Sequence, residues 1–291
     1  MESQVTVLGL GRMGSALARA FNEKGYKTVG WSRSEGRRNA AAAFCEPALS
    51  AAAAVAASPL IVSCLTDYAA TMDVISIISS NDWRSRTLVQ LASGGPADAV
   101  AMEKWSASQG VRYLDGAIGT SPIRIGHART AIFLSGDAQA YRQYSDVLSA
   151  LGGNVKFVGE SVAAAATFDV AWLSMYYGLS VGMLNAATIC ETANISLANF
   201  FECMGSFMSE MTHVADEYTE MISNNQFAGG EATIDVHYAA IEHLAASTRS
   251  SKLDTRFPDL LLSIFGDAKR RGLGALEIAA GVQVLRNPTK N

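Results

Sequence analysis

The sequence predicts an α/β protein in unlike halves: an N-terminal domain with a parallel sheet, a long interdomain helix and an all-helical C-terminal domain. Three observations carry this. Short apolar runs alternate with helix-like stretches up to Gly159, the pattern of a sheet with crossover helices. A glycine triplet with dinucleotide-binding spacing closes the first run. Beyond Gly159 the strand signals fade, and one long charge-poor segment leads into helical periodicity. The expected division is residues 1–160 and 161–291.

The first apolar run, Gln4–Leu8, reads as a strand and Met13–Lys24 as the helix after it. Further strands are expected at Lys27–Trp31, Leu60–Leu65, Thr87–Leu91, Val111–Leu114, Thr130–Leu134 and Val155–Val158. Helices are expected between them at Ala48–Ala57, Tyr68–Ile78, Ala97–Ala107 and Ala138–Leu151. Ser161–Ile189 reads as a single long helix. Leu197–Ser223, Ala232–Ser250, Phe257–Arg271 and Ala275–Leu285 complete the helical half, with Gly272 at an expected C-cap.

Composition narrows the function. Apolar residues make up 49% and charged residues 17%, which excludes a disordered chain. The net charge of −4 gives no basic excess for nucleic acid. Cys45, Cys64, Cys190 and Cys203 form no CxxC or CxxH pair, against a disulfide scaffold or cysteine-based zinc site. No metal is expected: no two histidines stand at metal-ligand spacing on a helix. Residues 1–3 show no basic leader, so a reducing, cytoplasmic setting is expected. Val170–Cys190 is 21 uncharged residues, long enough to span a bilayer. Asp169 and Glu191 flank it without any basic residue, and six polar side chains lie within it. A helix buried inside the protein or a dimer, not a membrane span, is expected. From residue 157 to 248 there is no Lys or Arg and there are 11 acids. That is either a solvated acidic surface or a field that draws a cationic ligand.

The motif Gly9-Leu10-Gly11-Arg12-Met13-Gly14 follows a strand and opens a helix, the context a dinucleotide site requires. Gly9 permits the tight turn, Gly11 lets the backbone approach a pyrophosphate, and Gly14 lets helix and strand pack closely. The helix N-terminus supplies amides and positive dipole. An NAD site would place an acid at the end of the second strand. Ser32, Arg33 and Ser34 stand there instead, with Arg37 and Arg38 beyond. A guanidinium with two hydroxyls suits a 2′-phosphate, so NADPH is the expected cofactor over NADH.

Asp169 is the only charged residue between Glu160 and Glu191. A carboxylate in so apolar a helix needs a partner. Trp172 and Tyr176 share its face, and Tyr177 is placed to line the same cavity. An acid beside a phenol can hold a cation or move a proton. A buried, hydrogen-bonded structural Asp fits the residues equally well.

These motifs, with Leu91-Ala92-Ser93-Gly94, Asp115-Gly116-Ala117-Ile118, Ser135-Gly136-Asp137 and the pair Asp169 and Tyr177, follow in an order that resembles the imine reductase and reductive aminase family. This is a branch of the β-hydroxyacid dehydrogenase superfamily, and the resemblance covers nearly the whole chain. It implies a Rossmann domain, the interdomain helix and a helical domain, assembled as a domain-swapped homodimer with active sites shared between subunits. It implies Asp169, Tyr177 and Ser93 as catalytic residues, with Ser93, Leu65 and Thr66 joining the cofactor set. The partner's wall would lie near Phe207, Met208 and His237. Small imines, amines or ketones are the implied substrates. Some reductive aminases place Asn where Ser93 stands, which puts amine coupling in question more than imine reduction. The parent dehydrogenases carry a catalytic Lys where Asp169 stands. A hydroxyacid dehydrogenase and a non-catalytic NADP-binding protein are the alternatives.

Overall fold

The computed structural model describes residues 4–288 except residue 231. Its contacts divide the chain into two units, residues 1–175 and 176–291.

The first unit is a sheet of eight strands: β1 (Gln4–Leu8), β2 (Lys27–Trp31), β3 (Glu46–Pro47), β4 (Leu60–Ser63), β5 (Thr87–Gln90), β6 (Arg112–Ile118), β7 (Ala131–Gly136) and β8 (Asn154–Gly159), in the order β3-β2-β1-β4-β5-β6-β7-β8. Its helices are α1 (Arg12–Glu23), α2 (Glu35–Ala41), α3 (Ala51–Ala57), α4 (Tyr68–Ile75), α5 (Ser80–Trp83), α6 (Pro96–Ser108) and α7 (Ala138–Ser149), followed by the start of α8 (Ala163–Thr192). Several begin where a short polar side chain accepts a backbone N–H: Ser34 for α2, Ser50 for α3, Asp67 for α4 and Asp137 for α7. Both faces of the sheet are covered. Val5, Val7, Leu60 and Val62 pack with Leu17, Phe21 and Leu148 on one side. Leu8, Ile61 and Leu88 pack with Val55, Ile75 and Met102 on the other, as the two-residue period of a strand requires.

The expectation of a wholly parallel sheet is corrected at β6 and β7, which pair antiparallel. Between them lie only loop and a single 3₁₀ turn, Pro122–Arg124, so no crossover helix returns the chain to the same end of the sheet. α7 then carries the chain to β8, which is parallel to β7. The short elements α2, β3 and α5 add to those expected.

The second unit holds the rest of α8, then α9 (Leu197–Glu202), α10 (Met204–Asn224), α11 (Ile234–Ser250), α12 (Arg256–Arg270) and α13 (Val282–Arg286). The helix expected over Leu197–Ser223 is two, interrupted at Cys203. The one expected over Ala275–Leu285 is a 3₁₀ turn, Ile278–Gly281, followed by α13. Leu276 and Glu277 are instead taken up by bridges to Ala228 and Thr233. Phe227, Ile234, Ala268 and Val284 form this unit's core.

Within the single chain α8 is buried in part, at its start and at Cys190 near its end. Ala165 and Ala166 are buried, whereas Met175 is 72% and Leu184 68% exposed in the single chain. Among the described residues no helix is long and apolar enough to cross a membrane.

Candidate active site

β1 delivers Gly9 at φ +101°, where its N–H donates to the Trp31 carbonyl at 2.8 Å. A side chain cannot stand there, because a Cβ would lie 2.4 Å from the Cys64 carbonyl oxygen. Gly14 brings α1 onto this turn so closely that a Cβ would lie 1.7 Å from the Gly9 oxygen. Gly11 differs: no atom lies within 4 Å of the place its Cβ would take. It N-caps α1 without a side-chain acceptor. A bare helix N-terminus beside an open glycine fits a phosphate group.

A cleft of about 480 Å³ runs over this turn. Gly9, Gly11, Arg12, Met13, Gly14, Ser32, Arg33, Ser34, Arg37, Leu65 and Thr66 all line it, so the structure brings together the cofactor residues expected from sequence, Ser93 apart. No acid lines it among the described residues, which suits a 2′-phosphate. One lining residue and one neighbour also shape the loop. Ser34 accepts the Arg37 N–H as N-cap of α2. Arg38 turns inward and donates to the carbonyl oxygens of Ser32 at 2.6 Å and Arg33 at 3.2 Å, bracing the loop. The sequence placed Arg37 in the cofactor set and left Arg38 without a role.

A second cavity, of about 290 Å³, shares Met13, Cys64 and Leu65 with the cleft and holds Ser93 and Asp169. Ser93 is fixed after β5 by a bridge to Asp67. Asp169 is half-buried on α8, and burial raises its pKa. No Lys, Arg or His lines this cavity among the described residues. Burial pushes the Cys64 thiol up to about 12, so it lines the cavity as a neutral group and not as a nucleophile. Trp172 packs on Phe133 at 5.6 Å between ring centroids, an anchor for α8 against the sheet.

Behind this cavity lies a group that the sequence reading quoted in a motif but gave no role. Asp115 on β6 is fully buried, and its Oδ1 accepts the Tyr68 hydroxyl at 2.5 Å and the Tyr113 hydroxyl at 2.7 Å. Burial raises its pKa to about 6. The two phenols and the Ala166 backbone oppose that rise, and the charge of Asp169 adds to it. The signal available in sequence was an acid set among apolar residues in the strand Arg112–Ile118.

Tyr177 lies eight residues beyond Asp169 along α8, in the second unit. It is 61% exposed, its ring edge-on to Tyr176 at 5.3 Å. Phe207 and Met208 are exposed on α10.

Residues 4–159 match the family model described as the NAD binding domain of 6-phosphogluconate dehydrogenase. Residues 162–287 match the NADPH-dependent reductive aminase-like C-terminal domain. The NADPH-dependent reductive aminase of Aspergillus oryzae is 24% identical, over 98% of both chains. The imine reductase of a Pseudomonas species superposes with a TM-score of 0.92 at 28% identity, over 98% of this chain and 100% of that one. The imine reductase of Myxococcus stipitatus, solved with NADP+, gives 0.89 at 30% identity, over 97% of this chain and 99% of that one.

Proposed function

The chain belongs to the imine reductase and reductive aminase family, and from that premise we propose that it reduces the C=N bond of imines or iminium ions to amines with NADPH, including imines formed from a ketone and an amine. The observation that carries this reading is Asp169: a half-buried carboxylate in a cavity without basic lining residues, opening beside a cleft fit for a dinucleotide.

The glycine turn and the α1 N-terminus would hold the pyrophosphate, and Arg33, Ser34 and Arg37 would hold the 2′-phosphate, with Ser32 lining the loop. Bound NADPH supplies a hydride. The chain's part is to hold the nitrogen and its proton. Asp169 pairs as a carboxylate with the protonated nitrogen, so that the iminium and not the neutral imine accepts the hydride. Ser93 and Tyr177 orient the nitrogen, Tyr177 as the supporting phenol. A Lys at position 169 would support hydroxyacid oxidation; an Asp supports a cation.

The proposal extends to a domain-swapped homodimer in the cytoplasm. Residues 1–160 are its cofactor domain and residues 161–291 the interdomain helix and substrate and dimer domain. The exposed apolar side chains Val170, Met175 and Leu184 along α8 support a partner there. The test follows NADPH consumption with cyclic imines, and binding of NADPH against NADH. Turnover with imines and tighter NADPH binding are expected. Hydroxyacid oxidation with NADP+, equal binding of NADH, or binding without turnover would overturn the reading.

A further inference from the structure

Asp115 does not line the cavity, yet it joins three elements that do. Tyr68, the first residue of α4, lines the cavity and reaches back to Asp115 Oδ1. The Tyr68 ring lies beneath the Ser93–Gly94 loop, so closely that a Cβ on Gly94 would sit 2.2 Å from it. On the third side, the backbone of Ala166 on α8 faces the carboxylate without meeting it in hydrogen-bond geometry. Asp169 follows one turn later on the same face.

The Tyr68 and Tyr113 hydroxyls both donate to Asp115, which favours its ionised form. Both hydrogen bonds fall on Oδ1, and Oδ2 is buried without a hydrogen-bond partner. The charge is therefore incompletely compensated. The titratable groups around it are Tyr68 on α4, Tyr113 on β6 and Asp169 on α8, with Asp98 of α6 acting on Tyr68. None is a cation. Two carboxylates thus share one apolar region, and a positive charge brought to the cavity relieves both.

We propose that Asp115 is a positioning residue and a second negative charge for the cation site at Asp169: it anchors Tyr68 beneath the Ser93–Gly94 loop, and the hold on a cationic nitrogen strengthens as it ionises. This rests on the proposed role of Asp169. By linkage, a cation that binds better when Asp115 is ionised must also make Asp115 ionise more readily.

The test is a pH titration of the full chain labelled with ¹³C at the aspartate carboxyls, with the Asp115 signal assigned through its backbone. In Asp169→Asn, Asp115 should titrate at lower pH than in the unmodified protein. Adding pyrrolidinium, an inert cyclic ammonium ion, should move it in the same direction in the unmodified protein. Tyr68→Phe removes one donor to the ionised form and should move it to higher pH. An Asp115 titration unmoved by Asp169→Asn or by pyrrolidinium would overturn the proposal. So would one unmoved by Tyr68→Phe. None of these measurements needs turnover, so a protein that fails to reduce imines defeats the proposed reaction while this result is judged separately.

Discussion

At the scale of single residues, Asp169 and Asp115 differ in what they expose and therefore in what they can do. Asp169 is half-buried at a cavity wall, where a carboxylate can meet a ligand. Asp169→Asn should lower kcat/KM for imines by ~10²–10⁴-fold, the range for a positioned acid–base or electrostatic group. NADPH affinity should hold, because Asp169 does not line the cofactor cleft. The Asn variant should melt no lower than the parent, and Tyr177→Phe should cost less activity. Loss of fold with full activity in the remainder would make Asp169 structural. For Asp115 the expectation concerns stability. Its pKa rises from an ordinary 3.8 to about 6 in the folded chain. The folded state therefore holds the proton more tightly than the unfolded one. The stability this group contributes is full below pH ~4 and is lost as pH rises through about 6. The loss is ~3 kcal/mol at most. Asp115→Asn cannot ionise, so its melting temperature should gain on the parent's between pH 4 and 7. Parallel melting curves across that range would refute this.

At the scale of elements, the β1–α1 turn uses glycine for two separable reasons. Gly14 stands where a Cβ would collide with backbone, the Gly9 oxygen at 1.7 Å, and backbone cannot rotate away. Gly11 stands in the open. Gly14→Ala should force α1 off the turn, costing ~1–3 kcal/mol as overpacking does, and weaken NADPH binding as well. Gly11→Ala should leave the melting temperature nearly unchanged, within the ~0.5 kcal/mol usual for an open site, while weakening NADPH. Thermal melts paired with fluorescence titration of NADPH separate the two. Equal destabilisation by both would show that the turn is held by its backbone conformation alone. The same turn was readable in the sequence because its signals are local: three glycines at fixed spacing, a strand before and a helix after. The direction of β7 was not read from its own residues. It follows from the helix-free segment between β6 and β7, a feature of the connection.

At the scale of the whole molecule, α8 leaves a run of apolar side chains exposed in a single chain. Thirty residues of predominantly apolar helix expose Val170 at 54%, Tyr176 at 60% and Leu184 at 68%. Such a surface favours association. Light scattering at micromolar concentration should give the mass of a dimer, near twice 30.8 kDa. Variants that place charge on this helix, such as Leu184→Asp, should release monomers and lose imine turnover together. A monomer with full activity would refute the shared site.

The sequence by itself determined the class of fold, the order of most elements, the dinucleotide turn and Asp169 as the charge to examine. Each is written within a few turns of chain: glycine spacing, short apolar runs between helix-like stretches, one acid in an apolar run. Only tertiary structure showed that Arg38 braces the loop, because its two carbonyl partners are marked by no local pattern. It also decided that Asp115 is a buried hub. Tyr68 and Asp115 stand 47 residues apart and meet only because β4 and β5 place the start of α4 beside β6. A hydrogen bond between distant residues has no period in the sequence, so the carboxylate behind the candidate site became visible only when the sheet was assembled.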